Sequence, residues 1–176
     1  MDAAELRREL ERCHRQGHAW ALHCCRWDPE AAEDVLQTAY LKVLDGRARF
    51  DGRSSFLTWL FAVIRHTAAD EGRRSWLRFS RSAPLEEDAA RFSDEFDAAQ
   101  HPSGEHEMQS RHLRLALTKL SPRQRDVLLL VFYHERTVEE AAGVMGIGVG
   151  SARTHYARGK ERLRELLQMP EDPRDE

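Results

Sequence analysis

Two sets of residues in this chain have the types and spacing that contact with nucleic acid requires. Ser151, Arg153, Thr154, His155 and Arg158 fall together on the outward side of one helical stretch. Hydroxyl, imidazole and guanidinium groups at the start of a helix suit base edges in the major groove and phosphate oxygens, and the helix N-terminus adds its own amide donors. The second set is Arg65, Arg73, Arg74, Arg78 and Arg81, interleaved with Trp76 and Phe79. Cations of this density track a phosphate backbone while the rings offer stacking surfaces. Trp59, earlier in the same stretch, is either partly core or a ring set against an opened base pair.

Other chemistry finds less support. Cys13, His14, His18, His23 and Cys24 are soft metal ligands by type, and His14 and His18 stand one helical turn apart. The set lacks a second clustered pair, and cysteine commonly serves as a small buried hydrophobe, so core and surface roles are expected and no metal or other cofactor is. No nucleophile, base and orienting group stand at a catalytic spacing, and no glycine loop for phosphate follows a strand, so the chain is not expected to be an enzyme. Three cysteines, two of them the adjacent Cys24 and Cys25, are expected to be reduced thiols.

The first set needs a scaffold, and its punctuation is written in the chain. Ser121-Pro122-Arg123-Gln124 combines an N-cap serine, a proline at the first helical position and a glutamine three residues after the cap. Val127, Leu128 and Val131 follow on one face, and the pattern gives out at Tyr133-His134-Glu135-Arg136. Thr137-Val138-Glu139-Glu140 opens a second, short helix with Ala141, Ala142 and Met145 on its apolar side, and Gly146 stops it. Ile147 plugs the corner. A third helix starts at Val149 with Ala152, Tyr156, Gly159, Leu163 and Leu166 in one stripe. Two capping boxes, a glycine corner and an outward polar face describe a helix-turn-helix.

The N-terminal half reads as a bundle. Leu6, Leu10, Cys13, Trp20 and Cys24 recur at helical spacing and predict a helix over about Ala3 to Arg26, weakened in its middle by Gly17. Asp28-Pro29-Glu30 starts a second helix, with Ala32, Val35, Leu36, Ala39, Tyr40, Val43 and Leu44 as its buried stripe and Asp34, Gln37, Thr38, Leu41 and Lys42 off it. Asp45-Gly46 ends that helix, and a loop rich in arginine, glycine and serine runs from Arg47 to Phe56. Ser54 or Ser55 caps a third helix whose Leu57, Leu60, Phe61, Ile64 and Ala68 face the core. Trp59, Val63, His66, Asp70, Arg73 and Arg74 wind along another side.

Composition agrees with an all-α protein of two small helical domains joined by an acidic flexible linker. Of 176 residues 41% are hydrophobic and 32% charged, with a formal net charge of -3. Acid is concentrated at 82–107, with 8 acidic and 1 basic side chains, while 108–170 carries 11 basic against 6 acidic. Local basic patches, not the total, decide phosphate binding. The expected division is 1–81, a linker at 82–107, 108–170 and a disordered tail at 171–176. Phe92 and Phe96 are candidate anchors within the linker. No apolar run could span a bilayer and the start, MDAAELRRELER, has no signal-peptide core, so a cytoplasmic protein without membrane insertion is expected.

The segments AAEDVLQTAYLKVL, FDGRSSFLTWLFAVIRHTAADEGRR and LSPRQRDVLLLVFYHERTVEEAAGVMGIGVGSARTHYARGKERL resemble a bacterial RNA polymerase sigma factor of the extracytoplasmic-function group. The resemblance implies an N-terminal domain that docks on core RNA polymerase and opens the minus-ten element, and a C-terminal domain that reads the minus-thirty-five element. By position it gives Asp34, Gln37, Thr38 and Leu41 to polymerase binding, with Thr38 where an acid is usual. It gives Phe50, Asp51, Gly52, Arg53, Ser54, Ser55 and Phe56 to a loop that holds a flipped base, and Trp59, His66, Asp70, Arg73 and Arg74 to the minus-ten element. His66 replaces a common asparagine. Ser151, Arg153, Thr154, His155 and Arg158 take the minus-thirty-five element, with His155 in place of an arginine, Gly148 of a capping serine and Gly159 of an alanine. Promoter DNA, core polymerase and an anti-sigma protein are the implied partners, and the free protein is expected to be a monomer. The alternative is a stand-alone helix-turn-helix regulator, which would bind duplex DNA by itself and would not need the Ser54 to Arg81 segment.

Overall fold

The computed structural model describes residues 2–79, 112–113 and 115–168, and every regular element among them is helical. The chain divides into two compact units, Met1–Ser93 and Asp94–Glu176. That division falls inside the stretch expected to be a linker; the linker, Phe92, Phe96 and the tail lie outside the described residues.

Three helices build the N-terminal unit: α1 (Ala3–Cys24), α2 (Pro29–Leu44) and α3 (Phe56–Phe79), each packed on the other two. Asp2 starts α1 through a reciprocal cap. Its Oδ1 accepts the N–H of Ala4 and of Glu5, and Glu5 Oε2 accepts the N–H of Asp2. The helix expected to reach Arg26 ends at Cys24, because Arg26 and Trp27 take left-handed backbone (φ 57° and 66°) and turn the chain directly into the cap of α2. There Asp28 Oδ1 accepts the Ala31 N–H and Pro29 fills the first helical position. Of the two candidate serines, Ser55 caps α3: its Oγ accepts the Thr58 N–H at 3.1 Å.

The core of this unit holds Leu10, Cys13, Trp20, Ala32, Val35, Leu36, Ala39, Val43, Leu60, Phe61 and Ile64, as the helical stripes predict. Trp20 Nε1 donates to the carbonyl of Phe61 at 3.0 Å, so the largest buried ring leaves no polar atom unsatisfied. Several positions differ: Leu57 and Ala68, expected to face the core, are half-buried, and Thr58, read as neither stripe of α3, is buried. Leu44, placed at the end of the α2 stripe, is exposed, and Thr67, read as neither stripe of α3, is fully buried. The hydroxyl of Thr67 donates to Val63 O at 2.9 Å, which makes its burial tolerable.

In the C-terminal unit a helical turn at 115–118 precedes α4 (Pro122–Phe132), α5 (Val138–Met145) and α6 (Val149–Gln168). Gln124 Oε1 accepts the Ser121 N–H, and Thr137 and Glu140 exchange both bonds of a capping box. Gly146 ends α5 at φ 65°, ψ 36°, the left-handed C-cap its position in the sequence predicts. Ala116, Leu120, Leu128 and Leu166 form one buried cluster, against which Leu117, Tyr156 and Leu163 pack. On α4 Leu130 is fully buried beside Val127 and Leu128, while Val131 is only half-buried. His134 is buried too, beyond the point where the apolar pattern ends, because Glu135 at φ 54° reverses the chain and folds the segment back.

At Gly159 α6 packs tightly on α4. A Cβ there would stand 3.2 Å from both Gln124 Cβ and Leu128 Cδ1. The glycine that looks like a weak helix residue in the sequence is thus a packing residue.

Candidate nucleic-acid interface

On α6 the outward set is exposed as its spacing requires: Ser151, Arg153, Thr154 and Arg158 face solvent, and His155 is half-buried. Thr154 Oγ1 donates back to the Gly150 carbonyl at 3.0 Å, which restrains its rotamer. Arg153 is not a free cation. Its Nη2 donates to Glu139 Oε1 at 2.7 Å, joining the first turn of α5 to the second turn of α6 across the helix-turn-helix corner. That hydrogen bond is also what holds the Glu139 carboxyl below its ordinary range. One terminal nitrogen of the fork is engaged, and the rest of the guanidinium remains to meet a base or a phosphate.

Beside the outward set stands a feature with no clear periodic signal. Phe132, exposed at the end of α4, stacks on Tyr156 with ring centroids 5.9 Å apart, and Lys160 Nζ lies 5.3 Å above the Tyr156 ring. The stripe assignment of Tyr156 holds, but its ring also belongs to a surface patch.

The N-terminal unit carries the other face. Phe50, Phe56 and Trp59 meet in a three-ring cluster, with centroids 5.5 Å (Phe50 to Phe56), 5.4 Å (Phe50 to Trp59) and 5.2 Å (Phe56 to Trp59) apart. Trp59 is half-buried and Phe56 buried, so both readings of Trp59 are partly met: the ring packs, and it packs against the loop. The tip of the loop stays in solvent, with Asp51, Gly52, Arg53, Ser54 and Ser55 all exposed. Gly52 turns the tip at φ 74°. Asp51 braces it, accepting the Arg53 N–H and lying 3.3 Å from Arg53 Nε. The rings clamp the base of the loop and leave its polar tip presented.

Further along α3, His66 and Arg73 are exposed and Asp70 is half-buried. Arg74 falls on the same helix, with its side chain outside the described residues, as are those of Trp76, Arg78 and Phe79; Arg81 lies beyond them. Asp70 Oδ1 accepts from Arg73 Nη2 at 2.6 Å, and Oδ2 lies 3.5 Å from Lys42 Nζ. Burial pushes the Asp70 carboxyl up, but the bonds from Arg73 and Lys42 outweigh it and hold the carboxyl below its usual range.

The third surface is the outer side of α2. Asp34, Gln37 and Leu41 are exposed and Thr38 is half-buried, with Gln37 Nε2 bonded to Glu33 Oε1 at 3.0 Å. Leu41 is 59% exposed, and Leu44 one turn on is 44% exposed. Two leucines in water on one edge of a helix form an apolar strip that the bundle itself does not cover.

The candidate metal ligands take other parts. Cys13 lies in the core, His14 Nδ1 hydrogen-bonds with Tyr40 Oη at 3.2 Å, and His23 is buried with its ring 5.1 Å from that of Trp20. Among the described residues no three His, Cys, Asp or Glu side chains converge on a common point. Also among the described residues, no helix is long and apolar enough to cross a membrane.

Residues 10–78 match the family model for Sigma-70 region 2, and residues 110–163 match that for Sigma-70, region 4. The chain is 33% identical over 136 residues to the RNA polymerase sigma factor CarQ of Myxococcus xanthus, spanning 77% of this chain and 74% of that protein. It is 30% identical over 148 residues to the ECF RNA polymerase sigma factor SigC of Mycobacterium tuberculosis, spanning 84% of this chain and 76% of that one. Among solved structures, the sigma factor RpoE in complex with the anti-sigma factor NepR from Bartonella quintana is similar over 95% of this chain and 99% of its own, with a TM-score of 0.73 and 24% identity. At that identity the likeness is one of fold.

Proposed function

The chain belongs to the extracytoplasmic-function group of RNA polymerase sigma factors and is an alternative sigma factor of transcription initiation, and we propose that its two units divide the work. The N-terminal unit, 1–81, docks on core polymerase and opens the minus-ten element. The unit at 108–170 reads the minus-thirty-five element, and the acidic stretch 82–107 joins them. The observation that carries this is the presence of both regions in one chain, region 2 before region 4, each with an exposed surface suited to its task.

Docking uses Asp34, Gln37, Thr38 and Leu41 on α2; the exposed apolar strip that Leu41 shares with Leu44 supports this assignment. Opening uses the loop Phe50 to Phe56, with Asp51, Gly52, Arg53, Ser54 and Ser55 at its tip, a base taken from the stack being read by the loop. Trp59, His66, Asp70, Arg73 and Arg74 continue that surface along α3. Ser151, Arg153, Thr154, His155 and Arg158 enter the major groove of the upstream element, with the amides at the start of α6 beside a phosphate.

The protein catalyses no reaction of its own. Strand separation follows from differential binding: the loop and α3 hold the opened strand more tightly than the duplex, and the equilibrium shifts by that difference. The work is done in the cytoplasm, where the polymerase is, by a protein that is a monomer before it meets the enzyme. An anti-sigma protein that covers these surfaces is the expected inhibitor. A solved structure of similar fold, the sigma factor RpoE, is a complex with the anti-sigma factor NepR, which supports such a partner.

The test is permanganate footprinting on promoter duplexes with core polymerase and the protein. Reactive thymines around the minus-ten element only when both are present support this division. Protection of the same duplex by the protein alone, without opening, would favour a stand-alone helix-turn-helix regulator.

A further inference from the structure

Lys42 has no part in the surfaces assigned above, yet two partners on α3 hold its side chain. It stands next to Leu41 on α2, but its side chain, 29% exposed, turns toward α3. Nζ donates to Thr67 Oγ1 at 3.0 Å and lies 3.5 Å from Asp70 Oδ2. The Thr67 hydroxyl spends its own proton on Val63 O, so a lone pair is what it offers Lys42. Asp70 meanwhile gives Oδ1 to Arg73, whose side chain is 72% exposed. One carboxylate is thus shared between a lysine held in the groove between two helices and an arginine at the surface.

The charges explain why that sharing matters. Asp70 and Arg73 alone sum to zero, and a carboxylate left alone would hold the guanidinium against a competing phosphate. With Lys42 the trio carries a net positive charge, and the second cation competes for the same carboxylate, at 3.5 Å against the 2.6 Å of the Arg73 contact. An exposed ion pair of this sort adds little stability, so the arrangement is better understood by what it presents than by what it holds together.

We propose that Lys42 is a positioning residue for promoter opening: it draws on the Asp70 carboxylate so that Arg73 stays available to the opened strand. This rests on the assignment of Arg73 to the minus-ten element. Lys42 touches no DNA in this scheme; it acts through Asp70. Because it neighbours Leu41, it also ties the presentation of Arg73 to the helix proposed to meet polymerase.

The test is a set of variants reconstituted with core polymerase and titrated onto a promoter whose minus-ten region is already held open by mismatches. Lys42→Met should weaken binding about tenfold, within the range of coupling between members of one salt-bridge network. Lys42→Met with Asp70→Asn should regain most of that loss, since the carboxylate that captures Arg73 is gone. Lys42→Met should add nothing to Arg73→Ala, and Lys42→Arg should bind within about threefold of the parent, its charge being retained. A direct phosphate contact by Lys42 predicts the opposite on two counts: no rescue by Asp70→Asn, and additive loss with Arg73→Ala. Either result overturns the proposal. Unchanged binding by Arg73→Ala alone would instead remove the assignment on which it rests. Tryptophan-monitored melting of each variant excludes loss of the fold, and a Lys42→Met loss matched by unfolding, with no rescue, also counts against a positioning role.

Discussion

Replacing Gly17 by alanine should stabilise the N-terminal unit by about 1 kcal/mol. Gly17 lies inside α1 against both neighbouring helices, and an added Cβ would stand 3.5 Å from Ile64 Cδ1 and 3.6 Å from Leu36 Cδ1 and Tyr40 Oη. These are ordinary contact distances, so nothing needs to move. Alanine recovers about 0.8–1 kcal/mol of helix propensity, and burying one methyl contributes up to about 0.8 kcal/mol; crowding beside the Tyr40 hydroxyl offsets part of the sum. Gly159 has the same place in a helix but the opposite geometry. Its Cβ would meet Gln124 Cβ and Leu128 Cδ1 at 3.2 Å and the Gln124 carbonyl oxygen at 3.4 Å. Leu128 can rotate aside, but Gln124 Cβ and carbonyl move only with α4, and overpacking of about 1–3 kcal/mol outweighs the propensity gain. Gly159→Ala should therefore destabilise the C-terminal unit. Urea unfolding separates the two cases, because Trp20, Trp27, Trp59 and Trp76 all belong to the N-terminal unit and tryptophan emission reports on it alone. With a urea slope of about 1–2 kcal/mol/M, Gly17→Ala should raise that midpoint by about 0.5–1 M. Far-UV circular dichroism should show Gly159→Ala lowering the other transition. A lowered midpoint for Gly17→Ala, or a raised one for Gly159→Ala, would refute the packing argument.

The remaining predictions concern the surfaces and the thiols. Arg153→Ala should weaken binding to the upstream element by about 1–3 kcal/mol while leaving core polymerase association intact, and a pull-down showing equal loss of both would contradict the assignment. The Glu139 carboxyl titrates below its ordinary value of 4.5 because Arg153 donates to it, so the ion pair is present at neutral pH and is lost as pH falls through that lowered midpoint. Arg153→Ala should return the Glu139 midpoint toward 4.5 by NMR, and an unmoved midpoint would show that the pair does not form in solution. Trp59→Ala removes the ring that clamps Phe50 and Phe56 and should reduce strand opening more than duplex engagement; normal permanganate reactivity would count against it. Burial raises the Cys25 thiol from 9.0 to about 11, with the Asp28 carboxylate adding to the shift. Its thiolate fraction at pH 8 is then about a hundredfold below that of an ordinary thiol, so Cys25 should resist alkylation correspondingly; labelling at the ordinary rate would show the thiol to be exposed.

Much of the fold is legible in the chain because its signals are local. Asp28-Pro29, Ser121-Pro122, Thr137 with Glu140, and Gly146 each specify a helix end within a few residues, and all four stand where their chemistry places them. The end of α1 was not legible, since left-handed backbone at Arg26 and Trp27 has no glycine to announce it. Burial of Thr67, Leu130 and His134 follows from what packs on them, which periodicity along one helix does not carry. The candidate surfaces show the same limit. The outward side of α6 could be named from spacing, but the partner of Arg153 is 14 residues away on another helix. Lys42 reads as one more polar residue off a stripe until α3 is laid against it. The ring set Phe50, Phe56 and Trp59 is visible as composition, and its role as a clamp at the foot of the loop emerges only from the distances.

Run-off transcription tests the central claim most directly: bacterial core polymerase with and without this protein, on a library of promoter-like duplexes, with the transcripts sequenced. The account predicts starts that appear only with the protein, at a fixed distance from a shared pair of upstream sequence elements. Starts that are unchanged by its addition, while the protein binds duplex DNA by itself, would contradict it.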